Sequence, residues 1–207
     1  MSIRGQDSRG PVEAAPGAVD FTLLSHDRLV DLGMQAVRVG FNNILNDGKD
    51  LPIGAIAVSR GEVIGEGVPR DITEGVNSLH AANIAIEDAK KRSPGRQVDT
   101  IVMSTEPSAI TLYAIGNGSG ARRIFYVSPR SFLVEAGLVR PNQISTEKVL
   151  AVLDNPLEIT EIEDPTLKYL NELVFSCVQR DLDTGVAIPD VNRFLYLQST
   201  TPELIAS

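Results

Sequence analysis

Apolar side chains recur at helical spacing over residues 27–46, where Leu29, Val30, Leu32, Val37, Phe41, Ile44 and Leu45 share one face. Ser25 offers a capping oxygen at the start, and Asp47-Gly48 ends the element. A short apolar run over 53–58, the turn-forming Ser59-Arg60-Gly61 and a second run over 62–67 predict a hairpin. Residues 79–91 read as a helix with Ala81, Ile84, Ala85 and Ala89 on one side, and 100–104 as a buried strand. Pro107 suits the first turn of a helix reaching about residue 115, and the Gly-rich stretch 116–120 breaks it before a strand over 123–127. Phosphate-cradling loops run from a strand into a helix; this one runs from a helix into a strand and reads as a turn.

Beyond residue 127 the pattern predicts short helices over 128–136 and 146–153, an alternating edge strand over 157–162 and a helix over 165–180. Leu167, Leu170, Leu173, Val174 and Cys177 fall in helical register there, which makes Cys177 a core residue. Residues 187–207 carry a turn at Pro189-Asp190 and an apolar run at 193–197, and the pattern assigns them no element. Strands separated by helical crossovers predict an α/β chain, a three-layer α/β/α sandwich. Three segments follow from this: a polar, Pro/Gly-rich tail over 1–20, a domain over 21–140, and a C-terminal extension over 141–207 packed on the domain or on a partner subunit.

Composition narrows the function. Apolar residues make up 43% of the chain, enough for a core, and no apolar run reaches the roughly 20 residues of a membrane span. The formal charge is −8, and the densest basic groups, Lys90-Lys91-Arg92 and Arg122-Arg123, are short. A chain that tracks phosphates needs clustered Lys and Arg, so nucleic acid is not expected as the main partner. Cys177 is the single cysteine, which excludes an internal disulfide and a cysteine metal cluster, and a cytoplasmic location is the default expectation.

Three stretches carry a resemblance. They are Pro52-Ile-Gly-Ala-Ile-Ala-Val58 with Gly61-Glu-Val-Ile-Gly-Glu-Gly67, then His80-Ala-Ala-Asn-Ile-Ala-Ile86, then Thr105-Glu-Pro-Ser-Ala-Ile-Thr-Leu-Tyr-Ala-Ile115. Over about residues 27–127 the chain resembles the cytidine, guanine and tRNA-adenosine deaminase superfamily, which implies a cytidine-deaminase-like sandwich. That family's signature is His-x-Glu followed by Pro-Cys-x-x-Cys: three zinc ligands, an open fourth position for water, and a glutamate that shuttles the proton.

By this resemblance His80 stands at the histidine position and Ala82 at the glutamate position. Ser108 and Thr111 stand at the two cysteine positions, and Pro69 where guanine-deaminase-like members place a substrate-binding asparagine. Hydroxyls are poor zinc ligands, so neither a metal nor another cofactor is expected, and hydrolytic deaminase activity is expected to be absent. His80 then reads as a capping or core histidine, and His26 has no route to it. Glu106 reads as structural at a strand-to-helix turn, with a role as replacement base at the wrong position for the lost shuttle. Asp71 and Glu74 read as loop acids near the pocket. A Ser108–His80 pair would be the minimum for nucleophile activation, but no acid is placed to orient the histidine.

Three functions remain open: a non-catalytic homologue that binds a ligand or partner, a zinc-free enzyme acting on a nitrogen heterocycle in the old pocket, and a structural subunit of an active deaminase. A zinc-free enzyme would need new polar residues, for which Asp190, Arg193 and Tyr196 are the candidates. A homodimer is also expected, from the resemblance and from the apolar content of residues 186–197.

Overall fold

The computed structural model describes residues 24–46, 49–71, 74, 80–141, 144–153 and 155–201. The N-terminal tail over 1–20, the Asp47-Gly48 helix end and Leu79 lie outside them. Two sequence runs with every residue buried form the middle of the sheet, β1 (Ala55–Ser59) and β3 (Thr100–Thr105). Strands covered on both faces read as near-continuous apolar runs, and here the polar Ser59, Thr100, Ser104 and Thr105 fall at the strand ends. β2 (Glu62–Gly67) pairs antiparallel with β1, and β1 antiparallel with β3. β4 (Arg123–Ser128) and β5 (Glu158–Glu161) follow in parallel, giving the five-stranded order β2-β1-β3-β4-β5.

The two-residue alternation of β1 divides the core. Ile56 and Val58 face α1 (His26–Asn46) and α6 (Pro165–Ser176), joining Leu32, Phe41, Val102, Val127 and Leu167 in one cluster. Ala55 and Ala57 face the other way, toward α2 (Ala81–Arg92), α3 (Ala109–Gly118) and α5 (Thr146–Leu150), with Ala85, Ile101, Leu112, Ile115 and Val149. Helices on both faces of one sheet make the three-layer sandwich. Buried Asn171 of α6 fastens the layers, donating from Nδ2 to the Ser104 carbonyl at 2.6 Å and to Ser128 Oγ at 2.9 Å. Gly67 sets the seat of α2, because a Cβ there would collide with the backbone carbonyl of Ala81. The start of α2, and with it His80, therefore lies against the end of β2.

Two differences from the sequence expectation bear on the packing. α3 does not break at Gly116 but runs to Gly118, and the turn falls at Gly120, where φ is +75°. Gly116 is a packing residue instead: a Cβ there would come within 2.6 Å of the Leu153 side chain. The helix expected over 165–180 stops at Ser176, and Val178–Arg180 is β6, paired antiparallel with β7 (Ala187–Pro189). The pairing with β7 takes over the backbone groups that helical periodicity had assigned to one more turn. Cys177 is buried at the junction, and burial pushes its thiol pKa up.

The region without an assigned element is ordered by packing rather than by local pattern. α7 (Val191–Thr200) starts at Asp190, whose carboxylate accepts from the backbone N–H groups of Asn192 and Arg193. Its Phe194 ring stacks, tilted, on Phe41 of α1 with centroids 5.2 Å apart, and Leu197 is buried beside it. Among the described residues no helix is long and apolar enough to cross a membrane.

Candidate functional site

At the end of the sheet where β2 and β3 hand over to α2 and α3, the described residues enclose an open cleft of about 540 Å³. His80, Ser108 and Thr111 line it, together with Pro69, Asp71 and Glu106. Ala82 does not: it is fully buried in the α2 core, one turn-face away from the opening. The sequence positions singled out by resemblance are thus brought together around open space, with Ala82 behind the wall.

His80 stands at the N-cap position of α2 but makes no side-chain capping bond, so the capping role expected for it is not the one it plays. The residue lines the cleft, and its Nε2 is buried with no hydrogen-bond partner among the described residues. Burial holds its pKa below the usual 6.5; Asp71 opposes this and Arg130 adds to it. The ring is therefore neutral near pH 7.

Ser108 does cap its helix. Its Oγ accepts from the Thr111 N–H at 3.3 Å and lies 2.9 Å from Thr111 Oγ1. Two neutral hydroxyls bonded to each other and one neutral imidazole do not make a zinc donor set, which draws on thiolate, imidazole and carboxylate. Among the described residues no group of three His, Cys, Asp or Glu could hold a metal ion. The residues present do not fit the zinc of the signature.

Glu106 is spoken for. One oxygen accepts from the backbone N–H of Arg130 at 3.0 Å and the other lies 3.4 Å from Thr146 Oγ1. It fixes the start of α4 (Arg130–Glu135) at the strand-to-helix turn while its chain segment lines the cleft.

The C-terminal candidates are corrected. Asp190 is used as the cap of α7, Arg193 donates to the Ser176 carbonyl at 2.9 Å, and Tyr196 is exposed; none lines the cleft. The residues that do reach it are Arg130, Arg140, Arg180 and Leu182, with Asp50 from the other side. Arg180 is held by two carbonyls, Nε to Gly185 at 2.8 Å and Nη1 to Leu138 at 3.2 Å.

No family model matches the sequence, and neither does any curated protein. Solved structures do match. The guanine deaminase from Nitrosomonas europaea superposes with a TM-score of 0.58 at 19% identity, covering 72% of this chain and 85% of that one. A structure from work on tRNA:A34 deaminases that edit the wobble position matches with a TM-score of 0.54 at 16% identity, over 68% and 96% of the two chains. A protein solved in complex with 2,6-diaminopurine matches with a TM-score of 0.59 at 18% identity, over 72% and 79%. The likeness is one of fold: this chain has the cytidine-deaminase-like α/β/α sandwich.

Proposed function

We propose that this chain is a deaminase-fold protein that binds a nitrogen heterocycle in the His80–Ser108–Thr111 cleft and does not catalyse zinc-dependent deamination. One observation carries the reading: the cleft is open, yet the hydroxyls facing it are bonded to each other and complete no metal site. A pocket whose only purpose was packing would have filled with side chains. The cleft size suits a small planar ligand, and a neighbour of the same fold was solved with 2,6-diaminopurine, a ligand of that shape.

Hydrolytic deamination needs an activated water and a proton carrier. Zinc lowers the pKa of bound water from 15.7 to about 7, and the donors for it are missing. The position of the carrier is a buried methyl group, Ala82. Neutral His80 and the Ser108 and Thr111 hydroxyls can hold a ligand by hydrogen bonds but cannot supply hydroxide at neutral pH. Protein purified without chelator is expected to contain far less than one zinc per chain by elemental analysis. It is also expected to release no ammonia from guanine, cytosine, cytidine or adenosine. Stoichiometric zinc lost in His80→Ala, together with ammonia release, would overturn the reading.

Pairing of two copies belongs to the same proposal. Phe194 and Leu197 are buried within the chain, but Ile188, Leu195 and Tyr196 remain exposed on β7 and α7. A two-fold contact buries such a patch twice over. Light scattering should give twice the chain mass for the wild type, and the chain mass for Leu195→Glu/Tyr196→Glu. A monomeric wild type sinks the dimer.

A further inference from the structure

Two arginines reach the cleft from opposite parts of the chain, Arg130 from the start of α4 and Arg180 from β6. Arg130 Nε is buried without a hydrogen-bond partner among the described residues. Buried donors are almost always paired, so an orphan on a side chain that lines the cleft marks the place of an absent acceptor. The backbone of Arg130 is anchored by Glu106. Arg180 is fixed in place by the Gly185 and Leu138 carbonyls.

Each group also feels the other side of the cleft. Burial lowers the Arg130 pKa, Glu106 raises it and Arg180 lowers it further, so two like charges face the same space. For Arg180, burial again leads, opposed by Asp71 and Asp50. Both remain cations at neutral pH. Holding two guanidinium groups together, partly out of water, is unfavourable unless an anion completes the group, and a planar fork is the fit for an oxyanion.

Glu106 offsets part of this charge at Arg130, and Asp71 and Asp50 part of it at Arg180. Both oxygens of Glu106 are occupied by Arg130 N–H and Thr146. Asp71 and Asp50 act on Arg180, and both Asp71 and Arg130 act on His80. Acceptors for ring N–H groups and cations for an oxyanion thus line the same cleft.

We propose that the ligand of this cleft is an anionic heterocycle whose oxyanion, a phosphate or a carboxylate, is held by Arg130 with Arg180 beside it. This rests on the heterocycle-binding reading above and names the class of ligand. Calorimetry on the full chain tests it with two matched pairs, uracil against orotate and inosine against inosine 5′-monophosphate. At least one anionic member should bind tenfold or more tighter than its neutral parent; orotate marks a carboxylate, the monophosphate a phosphate. Arg130→Gln should abolish that preference without changing the thermal melt, and Arg130→Lys should restore part of it. Arg180→Lys provides a second variant that keeps the charge but loses the fork.

Parents binding as tightly as their anions would overturn the oxyanion and leave heterocycle binding standing. So would an anion preference that survives Arg130→Gln. No binding by any of the probes would overturn both.

Discussion

Ser108→Cys and Thr111→Cys together should give a chain that holds close to one zinc per chain. The argument is geometric. Ser108 Oγ and Thr111 Oγ1 lie 2.9 Å apart on the first turn of α3, and His80 lines the same cleft. Two sulfurs bound to one tetrahedral zinc at 2.3 Å stand about 3.7 Å apart. Longer C–S bonds from the same two backbone positions reach that spacing with small rotamer changes. The helix start loses little, because a thiolate can accept from the Thr111 N–H as Ser108 Oγ does now. Elemental analysis before and after dialysis reads the gain, and adding His80→Ala should remove it. Deamination should stay absent in the double variant, because Ala82 is a buried methyl group where a proton carrier is required. A double variant that folds but holds no zinc would mean that the three side chains do not converge on one point.

Phe41→Ala should cost about 3–5 kcal/mol, the usual range for emptying a buried phenylalanine site. Phe41 is 1% exposed and lies within the cluster that joins α1, α6 and the sheet. Its ring also meets Phe194 at 5.2 Å, one of the contacts that hold α7 to the body of the protein. Native domains are stable by roughly 5–15 kcal/mol, so this one change removes a large part of the margin. Denaturant unfolding followed by circular dichroism gives the size of the loss. A change below about 1 kcal/mol would show that α7 and its neighbours refill the cavity.

Much of the sandwich could be read from the residues because its elements obey simple periods. The hairpin at Ser59-Arg60-Gly61, β3, β4 and α2 follow from runs of buried or alternating residues with clear punctuation. α3 was read too short because Gly116 looked like a terminator, when its small size instead makes room for Leu153. The C-terminal part was least legible. Its two short strands hold each other by pairing between Val178–Arg180 and Ala187–Pro189, and three-residue strands carry no period. The site divides in the same way. His80, Ser108, Thr111, Pro69, Glu106 and Asp71 were found by resemblance and share the cleft. Arg130 and Arg180 were missed because their meeting depends on a crossover and a docking event far apart in the chain.

The position of Arg180 has a consequence for how the protein comes into being. Every strand of the main sheet precedes it in the chain, so the strands can pair before one wall of the cleft, and the Ala187, Phe194 and Leu197 part of the core, has been made. That wall is put in place only when Arg180 reaches the carbonyls of Leu138 and Gly185. A nascent or prematurely terminated chain would then present a folded sheet with a cleft open on that side. Such a product could pass for native by its secondary structure alone, and only ligand retention would separate it from the finished protein.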